Sequence, residues 1–197
     1  MGKNIQTYLI GQYPELAELL EEIECVQPLV CSDIPVGELV VKVVIGQMLS
    51  RKAASSIYAK VKSAAEKSAC REIWELNRAT FRKCGLSERK YRTIKEFSAL
   101  YKSDPDFFNN WYDLDSDSLF QAVNSQWGMS DWTASMLGIF HMGHEDIFPY
   151  RDGSIVRALE LLRTNWGVEI DVTKAKPYSS YLALYLWRAL DSGLLDK

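Results

Sequence analysis

Nowhere in these 197 residues does an uncharged apolar run reach the roughly 18 positions that a membrane-crossing helix needs. The opening stretch MGKNIQTYLIGQYPELAELLEE has no adequate apolar core for a signal peptide, so secretion is not expected and a cytoplasmic protein is. Cysteine is sparse: Cys25, Cys31, Cys70 and Cys84 lie far apart, with no CxxC pair and no clustered quartet. That spacing reads as reduced thiols rather than a disulfide framework. Because no cysteine follows Cys84, a Cys-ligated iron–sulfur cluster is not expected either. His141 and His144 are the only histidines and read as surface or core side chains, so no metal site is expected. Internal repeats, low-complexity tracts and flexible linkers are absent too.

What is present is an ordinary globular composition with an uneven charge. The net charge is -3, yet residues 51–102 carry 14 Lys and Arg against 5 Glu. Residues 103–154 reverse this, with one basic residue against 9 acidic ones. Such separation suggests a polyanion on one face, since phosphate neutralisation depends on local charge rather than on the whole chain. A merely solvated helix face is the alternative.

The apolar spacing is helical nearly throughout. Pro14 suits the first turn of a helix over Glu15 to Cys25, with Leu16, Leu19, Leu20 and Ile23 on one side. Pro28 and Pro35 bracket a loop. In ELVVKVVIGQMLSRKAASSIYAKVKSA two apolar segments meet near Gln47 to Arg51; the β-branched density would suit a strand, but without alternation or a hairpin partner it reads as two helices. Short helices follow over Ser68 to Leu76 and Ala79 to Cys84, the latter stopped by Gly85. Ser87 caps a basic helix from Glu88 to Lys102, with Tyr91, Ile94, Phe97 and Leu100 as its buried stripe and Ser98 and Tyr101 alongside. Pro105 breaks it. Asp115 caps a helix over Ser116 to Gln126, and a last aromatic helix runs from Pro177 to Asp191. Val168 to Ile170 reads as extended. The total is nine or ten helices with almost no sheet, an all-α chain.

The stretch from Trp127 to Arg157 organises the rest. Gly128, Met129 and Ser130 form a tight turn that Asp131 to His141 leave as a helix, with Ser130 as its N-cap and Asp131 favoured by the helix dipole. A helix, a turn of this kind and a second helix present backbone N–H groups able to hold a phosphate without reading sequence. Further on, Phe148-Pro149-Tyr150 is a stiff lead-in to Asp152, at the mouth of a helix over Gly153 to Leu162. An aspartate there is either a helix cap or a fixed carboxylate available for chemistry.

Four stretches stand in order: V-I-G-Q-M-L-S at 44–50, C-G-L-S-x-x-K at 84–90, W-G-M-S-D-W-T-A at 127–134, and F-P-x-x before Asp152. Together they resemble the helix-hairpin-helix DNA glycosylase superfamily, and within it the 3-methyladenine DNA glycosylase II branch. The resemblance implies an all-α fold of two helical lobes with a DNA cleft between them. Residues 31–127 would form the middle lobe, and residues 1–30 with 128–197 a second lobe carrying the hairpin and the catalytic aspartate. It makes Asp152 the catalytic residue and Gln47 the side chain that enters the gap left by a flipped nucleotide. Restoring lost stacking in this way is physically sensible, although a glutamine at a helix end is also an ordinary cap. Ser50, Arg51 and Arg157 are the neighbouring DNA contacts. Gly128 and Ser130 match the hairpin's two glycines, and Thr133-Ala134 matches its T-A.

The pattern is not followed everywhere. Ser130 replaces the second glycine, where a positive φ would be costlier, and Trp127 occupies the usual proline or small-residue site. The family often holds a monovalent cation at this hairpin, and no other cofactor is implied. Trp132 stands where members that also cut the backbone carry a Schiff-base lysine. A tryptophan implies a monofunctional enzyme that leaves an abasic site, unless it is simply core. Trp132, Tyr150 and Trp127 are the candidates for a base pocket, because an electron-poor cationic ring stacks on aromatic faces.

The implied reaction is hydrolysis of the N-glycosidic bond of an alkylated purine, with Asp152 stabilising positive charge on the sugar and orienting water. The expected partner is double-stranded DNA containing damaged bases, met at the nucleoid by a monomer. Two other readings remain open: a helix-hairpin-helix protein that binds DNA without cutting, and an all-helical interaction protein whose basic stripe meets an acidic partner.

Overall fold

The computed structural model describes residues 2–68, 70 and 72–196. Along them run eleven α-helices: α1 (Gly2–Gln12), α2 (Ala17–Glu22), α3 (Val36–Gly46), α4 (Arg51–Lys67), α5 (Arg78–Cys84), α6 (Glu88–Ser103), α7 (Pro105–Asn109), α8 (Ser116–Asn124), α9 (Asp131–His141), α10 (Gly153–Leu161) and α11 (Ser179–Asp191). Among the described residues there is no strand, so the chain is all-α. No helix in the described residues is long and apolar enough to cross a membrane.

Local rules account for most boundaries. Side-chain oxygens of Ser50, Asn77, Ser87 and Asp115 accept backbone N–H groups at the starts of α4, α5, α6 and α8. Gly85, at φ 104, stops α5. Pro105 does more than break α6: it opens α7, with Asp104 accepting the Phe107 N–H at 3.0 Å. Three expectations need correction. Glu15 to Cys25 is a 3-10 turn, Pro14–Leu16, followed by α2, and the chain is extended from Ile23 because the Gln6 amide takes the Leu20 and Ile23 carbonyls. The segment expected as a helix from Ser68 to Leu76 instead holds the C-cap of α4, Ser68, and a 3-10 turn, Ile73–Glu75, closed by a Glu72/Glu75 capping box; its Ala69 and Arg71 lie outside the described residues. On α6, Leu100 is half-exposed at 50%, while Thr93 is fully buried.

The chain folds as two compact units, one from residues up to Cys31 with Gly138 onward, the other Ser32–Leu137. The second junction falls inside α9, later than the residue-127 boundary expected from sequence. The reason is local: Gly128 abuts Thr93, Trp132 lies beside Gly46, and Gln47 is bonded to Gly128 and Thr133. In the Ser32–Leu137 unit, α3 is buried almost all round, which explains a valine-rich helix. Gly37 lets it close on Trp74, where a Cβ would stand 2.7 Å from the ring. Phe97, Phe108 and Trp111 pack edge-on and tilted beside it. In the other unit, Leu9, Leu16, Leu20, Ile155, Leu162 and Leu186 form one core, each such side chain contributing about 1.5–3 kcal/mol on burial. There α10 packs along α11.

Candidate active site

Asp152 is placed by backbone turns before it is placed by its side chain. The Tyr150 N–H donates to Phe148 O at 3.0 Å and the Asp152 N–H to Pro149 O at 2.9 Å. Upstream, the buried Ser180 of α11 clamps the preceding loop. Its N–H donates to Glu145 O at 2.9 Å, its hydroxyl donates to His144 O at 2.7 Å, and it accepts the Ile147 N–H at 2.9 Å. The Asp152 carboxylate then meets three donors on one oxygen. Oδ1 accepts the Ser154 and Ile155 N–H groups at 3.0 Å each, and the indole N–H of Trp187 at 2.9 Å. Such charge-assisted bonds are short and directional, so the carboxylate is held in one orientation.

Trp187 is itself held, its ring 5.4 Å from Phe140 at 33°. Around Gly153 there is room: a Cβ added there would meet nothing within 4 Å. Tyr150, 62% exposed, stands edge-on to Phe148 at 4.9 Å. Arg157 is exposed one turn into α10 and pairs with Glu160 at 3.2 Å. A surface pair of this kind is weak, so the guanidinium keeps its charge for another anion. The cap and the fixed carboxylate are therefore one and the same residue.

The Ser32–Leu137 unit carries the remaining candidates. Gly128 takes φ +76, and a Cβ there would lie 2.1 Å from Thr93 Oγ1, so this position accepts only glycine. No positive φ falls on Ser130, whose carbonyl accepts the Ala134 N–H at 3.0 Å as α9 begins. The substitution expected to strain the hairpin does not. Thr133 is fully buried, so its side chain faces the protein and not a duplex.

Gln47 does not project either. Its amide donates to Gly128 O at 3.1 Å and to Thr133 Oγ1 at 3.2 Å, tying α3 to the hairpin. The projecting residue is its neighbour: Met48 is 99% exposed and holds a positive φ of 55, an uncommon conformation for a non-glycine residue. Ser50 caps α4 at Ala53 N, and Arg51 is exposed beside it. Trp132 is half-buried against Gly46. Trp127 is 39% exposed, with the Arg92 guanidinium 4.1 Å over its ring, which occupies one stacking face.

The carbonyls of Gln126, Gly128 and Ser130 each already accept an N–H, from Met129, Gln47 and Ala134.

Sequence reasoning missed Trp187 and Met48. Nothing local marks Trp187, because its partner lies 35 positions away in the chain. For Met48 the local signal is faint, an apolar residue next to Gln47 within V-I-G-Q-M-L-S.

A family model described as HhH-GPD superfamily base excision DNA repair protein matches residues 41–175. DNA-3-methyladenine glycosylase 1 of Schizosaccharomyces pombe is 26% identical over 165 residues, covering 77% of this chain and 71% of the relative. The structure of a Schizosaccharomyces pombe 3-methyladenine DNA glycosylase in complex with abasic DNA superposes with a TM-score of 0.78 at 22% identity, over 95% of this chain and 97% of that one. A DNA-3-methyladenine glycosidase from Bacillus halodurans gives 0.70 at 21% identity, over 96% and 90%.

Proposed function

Since this chain belongs to the HhH-GPD superfamily of base excision DNA repair proteins, we propose that it is a monofunctional DNA N-glycosylase that removes alkylated purines of the 3-methyladenine type from duplex DNA. The observation that carries the reading is the Asp152 carboxylate, oriented by three N–H donors at the mouth of α10 with open space beside it. As the base departs with the bonding electrons, positive charge builds on C1′ and the ring oxygen. A preorganised anion stabilises that charge without reorganising. The same carboxylate orients the water whose oxygen bonds to C1′ and takes up its proton. An alkylated purine already carries positive charge, so it leaves as a neutral base without a general acid.

Trp132, at the place of the family's Schiff-base lysine, has no amine to attack C1′, which supports hydrolysis without strand cleavage. Trp132, half-buried, and Tyr150, exposed, are each an aromatic side chain able to stack on a cationic ring, at about 0.5–2 kcal/mol for a favourable contact. Flipping leaves a gap in the base stack. Met48 is the side chain suited to fill it, since it is fully exposed at a turn while the Gln47 amide is occupied within the protein. Backbone N–H groups at the hairpin, with Ser50, Arg51 and Arg157, hold phosphates on the flanks. An enzyme of this kind works as a monomer where the DNA is, at the nucleoid. Mass spectrometry of bases released from methylated duplex DNA tests the reading. Free 3-methyladenine or 7-methylguanine, with intact abasic strands, is the expected result; binding to DNA with no base released contradicts it.

A further inference from the structure

The motif C-G-L-S-x-x-K ends on a lysine that has no part in the chemistry above. Lys90 is half-buried, and its Nζ donates to Ile45 O at 2.8 Å. Ile45 is the next-to-last residue of α3, where carbonyls run out of partners within the helix and a cation is favoured by the helix dipole. Immediately beyond lie Gln47 and the projecting Met48. One turn further along α6, on the same face, Thr93 donates its hydroxyl to Arg89 O at 3.0 Å and lies directly under Gly128. A single helix face thus grips both loops of this unit that the proposed function turns toward DNA. The Gln47 amide, bonded to Gly128 O, closes the triangle.

We infer that Lys90 is a positioning residue: through the Ile45 carbonyl it keeps the turn bearing Met48 in register with the hairpin that Thr93 seats. The inference rests on the glycosylase reading for what the two loops do. Side chain and backbone would then insert and grip at a fixed separation, so that extrusion and phosphate binding happen together. Burial lowers the Lys90 ammonium's pKa, as it does for Lys95. Lys95 is the internal control, because it makes the same bond from the same helix, Nζ to Trp74 O at 2.8 Å, but holds neither loop.

The experiment compares Lys90→Met, Lys90→Arg and Lys95→Met. It measures single-turnover base release from a duplex with one alkylated purine, 2-aminopurine fluorescence on base extrusion, affinity for abasic duplex, and thermal stability. Lys90→Met is expected to slow release and extrusion on the order of tenfold while abasic-DNA affinity stays within about twofold. Lys90→Arg recovers most of the loss, and Lys95→Met matches wild type in release despite a comparable drop in stability. Equal slowing by Lys90→Met and Lys95→Met, or none by either, overturns the proposal. So does weaker duplex binding with a salt slope reduced by about one, which marks a phosphate contact instead. If Lys90→Met does not fold, Lys90→Gln replaces it; failure of both while Lys95→Met folds assigns Lys90 to stability alone. A wild-type protein that releases no base refutes the glycosylase reading, and the extrusion signal then still decides the role of Lys90.

Discussion

The indole N–H of Trp187 donates to Asp152 Oδ1 at 2.9 Å across 35 residues of chain. The same oxygen also accepts two N–H groups from the start of α10 itself. Trp187→Phe keeps an aromatic ring beside Phe140 while removing the N–H and the second ring of the indole. Single-turnover base release should fall about tenfold, or ~1.4 kcal/mol of barrier, with a stability loss of about 1–2 kcal/mol from the smaller ring and the lost hydrogen bond. An unchanged rate would show that Asp152 needs only its own helix to orient it.

Met48 and Gln47 are adjacent yet should behave oppositely. Met48→Ala, at a position 99% exposed, should leave stability within about 0.5 kcal/mol but reduce extrusion of a target base. Gln47→Ala removes two bonds to the hairpin side and should cost about 1–2 kcal/mol of stability. Chemical denaturation and 2-aminopurine fluorescence on both variants check the contrast.

Gly128→Ala faces two obstacles, a φ of +76 and a Cβ position 2.1 Å from Thr93 Oγ1. The expected loss is about 2–4 kcal/mol. Adding Thr93→Ala should recover part of it by relieving the clash, leaving the backbone term, so the two substitutions are non-additive. Strict additivity in a double-mutant cycle would contradict this packing.

Alkaline stability should be limited by tyrosines. Burial is the main force raising the phenols of Tyr13, Tyr58, Tyr181 and Tyr185, Tyr181 being pushed up to about 12 from 10.0. A phenol that holds its proton more tightly folded than unfolded favours the folded state while both forms are protonated, and the advantage declines once the unfolded chain begins to ionise. That contribution is complete below pH 10.0 and is lost as pH rises toward 12. Denaturant titrations across this window should show falling stability with the absorbance rise of tyrosinate, and Tyr181→Phe should make the fall shallower.

Where a feature depends on neighbours three or four residues apart, it was legible in the sequence. Ser87 and Asp115 announced α6 and α8, and Gly85 announced the end of α5, because caps and stops act within one turn. Asp152 was legible in the same way, as a carboxylate at the mouth of α10 after a stiff Phe148-Pro149-Tyr150 lead-in. What stayed hidden depends on tertiary partners. Gln6 cuts α2 short at Ile23 from another helix, Thr93 is buried because Gly128 comes down on it, and the Gln47 amide has its acceptors 81 and 86 positions away. Trp187 belongs to this group too. Its place on α11 matters only once α10 lies alongside.

In the proposed mechanism a negative charge at Asp152, rather than the shape of its side chain, lowers the barrier. Asp152→Asn keeps an oxygen to accept the Ser154, Ile155 and Trp187 N–H groups and removes the charge. Single-turnover release of base from an alkylated duplex should drop by about 100-fold or more, roughly 2.7 kcal/mol or greater, while affinity for abasic duplex stays within about threefold. Release at the wild-type rate by this variant would show that the charge of Asp152 does not lower the barrier.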